Sequence, residues 1–99
     1  MSRPKHYWYN IVKKMIMSMK NAEFDDSIQG AIFSRAYNEA VAKTLKLPQG
    51  RKRVQAVENI LVKQTATIES EAMRLYYSEK TVKNWINAFV NLCGREAGF

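Results

Sequence analysis

The sequence predicts an all-α protein of about five helices, with two longer N-terminal helices followed by a C-terminal unit of three helices. Apolar residues recur at three- and four-residue spacing along most of the chain, which is the period of an amphipathic helix. Glycine and proline fall mainly where these segments end, and no segment shows the sustained alternation of a half-buried strand. We therefore predict a single domain over residues 1–99, divided into a helical hairpin over 1–50 and a three-helix unit over 51–99.

Each of the two N-terminal helices is predicted from a single apolar stripe. The first helix spans about Pro4 to Lys20, and its stripe consists of Trp8, Ile11, Val12, Met15, Ile16 and Met19. The second helix spans about Ser27 to Lys46, and its stripe consists of Ile28, Ile32, Phe33, Ala36, Tyr37, Ala40, Val41 and Leu45. Since a surface helix packs its apolar face inward, we expect both stripes to be buried.

The third helix is predicted to follow a break at Pro48, because proline disfavours helix in the residue before it. It begins at Arg51 and extends to about Gln64. Its inward-facing residues are Val54, Val57, Ile60 and Leu61.

The stretch that begins at Thr67 predicts two capped helices joined by a tight turn. Thr67 is expected to cap a helix from Ile68 to Leu75, and Ser78 is expected to cap a second helix that starts at Glu79. Only two residues separate the end of the first helix from the second cap, so the chain must turn sharply between them.

Side chains of suitable size occur where such a turn requires them. A small residue, Ala72, lies where the two helices approach each other, and Leu75 closes the first helix onto the core. Val82 is expected to anchor the second helix from below. The buried face then continues through Trp85 or Ile86, Phe89, and Leu92 or Cys93.

The run from Glu71 to Ile86 resembles the helix-turn-helix of sigma-factor region 4 and related regulators. In those families a small residue, a leucine, a turn, serine, two variable residues and Thr-Val follow one another. Two positions depart from this pattern. Tyr76 replaces the usual glycine, which implies a left-handed or reshaped turn, and Glu71 replaces an apolar residue, which implies weaker packing of the first helix. More loosely, the chain is similar to late-gene transcriptional regulators of bacteriophages and prophages.

If this resemblance holds, the outward face of the second helix is the DNA-reading surface. Asparagine can pair with adenine, and lysine can reach guanine or a phosphate. Serine and threonine near the helix start can donate to phosphates, and the basic residues that open the third helix could clamp the backbone. The candidate DNA-binding residues are Ser78, Lys80, Thr81, Lys83, Asn84, Asn87, Arg51, Lys52 and Arg53, and Asn91 extends the same stripe.

The composition agrees with a polyanionic partner and excludes several other classes. Sixteen Lys and Arg against nine Asp and Glu leave a formal charge of +7. Cys93 is the only cysteine, so we expect no internal disulfide and a reducing compartment. With one histidine and four scattered glycines, we expect no enzyme and no cofactor. No signal peptide or membrane span is evident, which predicts a soluble cytoplasmic protein with no membrane partner.

Two alternatives remain open at this level. Capped amphipathic helix pairs also occur in bundles that bind no DNA, so the chain could be a helical assembly or adaptor protein, such as a phage packaging subunit that mainly binds protein. The run Arg51-Lys52-Arg53 is equally well explained as the solvated start of a helix.

The partners we expect are duplex DNA and, beside it, a second copy of the chain, RNA polymerase or phage proteins.

Overall fold

The computed structural model describes residues 8–18 and 28–98, and this part of the chain is all-helical, without strands. Its five α-helices are α1 (Tyr9–Met17), α2 (Ile28–Leu45), α3 (Gly50–Val57), α4 (Ile68–Leu75) and α5 (Glu79–Glu96). A π-helical turn, Glu58–Val62, continues α3. The predicted all-α class is therefore confirmed for the described residues.

The helix bounds agree closely with the sequence wherever a local signal marks them. The bounds of α4 and the start of α5 are as predicted, and α2 begins and ends within one residue of its predicted bounds. The predicted ends of α1, at residues 4–7 and 19–20, lie outside the described residues. The expectation that the two N-terminal helices are the longer ones is not confirmed, since α2 and α5 have 18 residues each and α1 has nine within the described residues.

Hydrogen bonds of the predicted residues define the ends of α4 and the start of α5. Thr67 and Ser70 form a capping box, in which each side-chain oxygen accepts from the backbone N–H of the other. Ser78 accepts from the backbone N–H of Thr81 at 3.1 Å. Tyr76 has left-handed backbone angles (φ 62°, ψ 40°) and ends α4. The two caps and the left-handed turn are thus confirmed.

A large hydrophobic cluster, here called the larger core, joins α1, α2, the end of α3, the π-helical turn and residues 86–93 of α5. Tyr37 of α2 lies edge-on to Phe89 of α5, with ring centroids 5.3 Å apart. Burial raises the pKa of the Cys93 thiol to about 12, so this group stays protonated at neutral pH. The buried members of the larger core are Trp8, Tyr9, Val12, Ile16, Phe33, Tyr37, Ala40, Val57, Leu61, Ile86, Phe89, Val90 and Cys93.

The expected hairpin of α1 with α2 is not confirmed. The main contacts of α1 are with α5 and the π-helical turn, because Tyr9, Val12 and Ile16 pack toward these elements in the larger core. At the C-terminal end of α1, the Gln64 side chain donates to the Met17 carbonyl at 3.1 Å. The first helix therefore lies beside the last one.

A second cluster, here called the smaller core, joins α3, α4 and the first two turns of α5. Its buried members are Ala56, Ala72, Leu75, Val82 and Trp85. Ile60, Ile68 and Tyr77 pack against it from the edge. The two cores meet along α5, whose residues up to Trp85 belong to the smaller one and whose residues from Ile86 belong to the larger one.

Two residues predicted to be buried are half exposed. Ile11 is 50% exposed, because α1 packs through the opposite side, which carries Tyr9. Leu45 is 49% exposed at the C-terminal end of α2, where the backbone of Gly50 packs so closely that a Cβ atom on Gly50 would lie 2.6 Å from the Thr44 carbonyl oxygen. Thr44, its neighbour in the helix, is buried.

Candidate nucleic-acid interface

The candidate interface is centred on the junction between α4 and α5. Tyr76 and Tyr77 separate Leu75, the last residue of α4, from the Ser78 cap of α5. The N–H of Tyr77 donates to the Ala72 carbonyl at 3.0 Å, which closes the turn. The two helices pack on each other through the smaller core, so the start of α5 is held in one orientation.

The first two turns of α5 present polar side chains on the side away from the smaller core. Lys80, Lys83 and Asn84 are exposed, whereas Val82 and Trp85 are buried beneath them. No acidic residue is interleaved among the three exposed ones. This surface therefore offers two cations and one amide within a single helical turn and a half.

The two hydroxyls at the start of α5 are engaged in its cap. Ser78 is exposed and Thr81 is partly buried, and their side-chain oxygens lie 2.9 Å apart. The Ser78 oxygen also accepts from the Thr81 N–H. The two hydroxyls are therefore held together at the start of α5, beside the exposed Lys80, Lys83 and Asn84.

Asn87 and Asn91 are less accessible than the sequence predicted. Both are partly buried, because α1 lies along this edge of α5. The Tyr9 hydroxyl donates to the Oδ1 atom of Asn87. Burial also raises the pKa of Tyr9, so this hydroxyl keeps its proton. The Oδ1 atom of Asn91 is buried without a hydrogen-bond partner among the described residues.

The basic residues that open α3 lie against an aromatic pair. Tyr77 and Trp85 pack edge to face with centroids 4.8 Å apart. The Lys52 ammonium lies 5.3 Å from the Tyr77 centroid, and the Arg53 guanidinium lies 5.7 Å from the Trp85 centroid. Positive charge is disfavoured at a helix N-terminus, and these aromatic contacts explain why Lys52 and Arg53 nevertheless lie at the start of α3. Arg51 and Lys52 are exposed.

Arg53 has a structural role in addition to its charge. It is partly buried, and its Nε atom donates to the Pro48 carbonyl at 3.0 Å. Together with its contact to Trp85, this bond ties the loop before α3 to the buried side of α5. Of the three basic residues, Arg53 is therefore the least accessible to a ligand.

Glu71, which replaces an apolar residue in the helix-turn-helix pattern, is buried and fully partnered. Arg74 donates to both of its carboxylate oxygens, at 2.6 and 3.2 Å, and Asn59 donates at 3.3 Å. The bond from Arg74 lowers the pKa of Glu71 below its usual value. The Glu71–Arg74 spacing of three residues was visible in the sequence, but the contribution of Asn59 depends on tertiary packing.

The described residues contain neither a group of side chains suited to a metal ion nor a membrane-spanning helix. No group of three or more histidine, cysteine, aspartate or glutamate side chains comes together to hold a metal ion within residues 8–18 and 28–98. In the same ranges no helix is both long and apolar enough to cross a bilayer.

Comparison with known proteins finds no relative. No protein-family model matches the chain, and neither do curated proteins or solved structures. The function of this surface must therefore be inferred from its own residues and geometry.

Proposed function

We propose that this protein binds duplex DNA sequence-specifically through a helix-turn-helix formed by α4 and α5, and that it acts in the cytoplasm as a transcriptional regulator, as its resemblance to sigma-factor region 4 implies. The observation that carries the proposal is the exposed group Lys80, Lys83 and Asn84 on the first two turns of α5. This group follows directly on a capped two-residue turn and lies opposite the smaller core.

The chemistry of the group matches the edges of base pairs. In helix-turn-helix proteins the N-terminal residues of the second helix contact base edges in the major groove. Asn84 can accept from adenine N6 and donate to N7. Lys80 and Lys83 can donate to guanine O6 and N7 or to a phosphate.

Residues around the group are suited to the DNA backbone. Arg51 and Lys52 are exposed at the start of α3, and Ser78 and Thr81 present hydroxyl groups at the start of α5. Contacts of these kinds position a protein on DNA without reading its sequence. The formal charge of +7 strengthens such contacts at every sequence.

The test is a titration of alanine variants on two DNAs, a site selected from random sequence and a random duplex, at two salt concentrations. Asn84→Ala should cost about 1–3 kcal/mol on the selected site and little on the random duplex. Lys80→Ala or Lys83→Ala should weaken binding to both DNAs and reduce the salt slope by about one.

Lys63→Ala is the matched control, because Lys63 is an exposed lysine that follows the π-helical turn and lies outside α5. It should change binding only as the loss of a remote charge does. If all three α5 variants fold normally and bind both DNAs like this control, α5 is not a DNA-reading helix.

A helical adaptor that mainly binds protein is the second candidate. The observation that favours it is the exposure of Leu45 and Leu47, which are 49% and 46% exposed near the end of α2. This candidate predicts that the wild-type chain fails to bind DNA even at low salt, where phosphate contacts are strongest.

A further inference from the structure

We infer that α1 determines how much of α5 can read DNA, and that Tyr9 is a positioning residue that keeps Asn87 out of base recognition. The inference rests on the proposed function, because it assigns roles within the same surface. Its observations are a hydrogen bond, a close packing contact and the burial of residues on one edge of α5.

The position of Asn87 in the helix would otherwise make it a reading residue. It follows Asn84 by three residues and Lys80 by seven, so all three lie on one stripe of α5. Lys80 and Asn84 are exposed, but Asn87 is partly buried beside α1. The lower exposure of Asn87 is therefore caused by a neighbouring helix and not by its position in the helical period.

The hydrogen bond from Tyr9 occupies the atom that adenine recognition would need. Asparagine reads adenine by accepting from N6 through Oδ1 while it donates to N7 through Nδ2. In the structure Oδ1 of Asn87 accepts from the Tyr9 hydroxyl. Asn87 could contact a base only if this bond broke. Within the described residues, no hydrogen bond holds the side chain of Asn84 in the same way.

Packing of α1 on α5 prevents the edge from opening easily. The Trp8 ring lies so close to Gly94 that a Cβ atom there would be 2.3 Å from the ring. Tyr9 is 2% exposed, and Val12 and Ile16 are fully buried on the same helix. Moving α1 away would return this apolar surface to water, which is costly.

The length of the reading surface follows from this arrangement. Lys80, Lys83 and Asn84 span about 6 Å along the helix axis at a rise of about 1.5 Å per residue. Base pairs are about 3.4 Å apart, so this span corresponds to about two base-pair steps, and direct readout by α5 covers about three base pairs at most. Specificity beyond this length has to come from other contacts or from DNA shape.

The experiment measures a base-preference profile, in which each base pair of the selected site is changed in turn. The proteins compared are the wild type, Asn84→Ala, Asn87→Ala and Tyr9→Phe. Tyr37→Phe is the matched control, since it also removes a hydroxyl from a buried tyrosine that packs on α5.

We expect Asn84→Ala to erase one preference, while Asn87→Ala and Tyr37→Phe keep the wild-type profile. Tyr9→Phe removes only the hydroxyl, so it should release Oδ1 of Asn87. This variant should gain a preference for an A·T pair beside the wild-type site, by about fivefold or more.

Three results overturn the inference, and one of them also overturns the proposed function. If Asn87→Ala erases a preference that the wild type has, Asn87 reads DNA directly. If Tyr9→Phe and Tyr37→Phe both keep the wild-type profile, the hydroxyl does not restrain Asn87. In both cases DNA reading by Asn84 still stands. A wild-type protein that binds no DNA removes both proposals together.

Discussion

The first part of α5, residues 79–85, and its second part, residues 86–96, have the same helical spacing of apolar residues but different surroundings. The first part packs only through Val82 and Trp85 onto the smaller core, and its other side is exposed. The second part is enclosed by α1 and α2, so that Val90, Cys93 and the adjoining Gly94 are all buried. A single continuous helix thus carries both an exposed polar surface and residues of the larger core.

This difference shows how a short chain can fix the orientation of a helix that has one exposed side. A surface helix with one buried stripe depends on its neighbours for orientation. The second part of α5 supplies that orientation, because it is anchored in the larger core. Changes on the exposed side of the first part should therefore affect binding and leave stability nearly unchanged, whereas changes of its buried residues or of the second part should affect the stability of the whole chain. The following four predictions test this division.

The largest effect is expected for Val82→Asp in the first part of α5. Val82 is fully buried, and an ionised carboxylate there would lack a partner in the smaller core. The free energy of unfolding should fall by about 3–5 kcal/mol in urea titrations followed by circular dichroism. Lys83→Asp places the same side chain on the exposed side one residue later and should change stability little. Wild-type stability of Val82→Asp would mean that the faces of α5 are wrongly assigned.

Gly94→Ala tests the anchoring of the second part. Its new methyl group would collide with the Trp8 ring, since the Cβ position lies 2.3 Å from that ring. Overpacking of this kind should lower stability by about 2 kcal/mol in thermal or urea unfolding. The control is the same substitution in a Trp8→Phe background, where the smaller ring leaves room. An equal cost in both backgrounds would contradict the contact.

Glu71→Gln tests the support that α4 gives to the first part of α5. Loss of the charge-assisted bonds from Arg74 should cost about 1.5 kcal/mol. Because the pKa of folded Glu71 is lowered, its stabilisation is present above the ordinary glutamate pKa of about 4.3 and is lost as the pH falls through the lower folded value. The stability of the variant should therefore depend less on pH in the acid range. Glu69→Gln, an exposed change in the same helical turn, should retain the wild-type pH dependence.

The smallest effect is expected at the turn itself, in the comparison of Tyr76→Gly with Tyr76→Ala. Tyr76 is 94% exposed and left-handed, so either change removes little packing. Only glycine relieves the steric cost of the left-handed conformation, and the greater chain entropy of unfolded glycine offsets part of the gain. The glycine variant should melt at a higher temperature than the alanine variant, by about 1 kcal/mol in stability. Equal stabilities would show that the turn carries no such strain.

The predictions from sequence succeeded where a structural feature is determined by residues close to it in the chain. Thr67 and Ser78 are caps because each hydroxyl bonds to an N–H three residues later. The helix-turn-helix resemblance implied a left-handed or reshaped turn at Tyr76, where those families usually have glycine, and Tyr76 is left-handed. Most apolar stripe residues, such as Phe33 and Phe89, are buried because the helical period places them on the packed face.

The predictions failed where exposure depends on a distant segment. Ile11 and Leu45 fit their apolar stripes but remain half exposed, since no other segment within residues 8–18 and 28–98 buries the side on which they lie. Arg53 reads as a free cation in the sequence, but it is held by Trp85 and by the Pro48 carbonyl. The period of a helix gives the direction of a side chain but not the identity of what lies in that direction.

The sequence by itself determined the helical class, the ends of α4 and the start of α5, and the basic and amide chemistry of the residues that follow. Only the tertiary structure decided which of these residues remain accessible. Asn84 and Asn87 have the same side chain and the same stripe, but Tyr9, 78 residues earlier in the chain, bonds to Asn87. The physical reason is that capping and helical period are local interactions, whereas burial depends on which distant segments pack together.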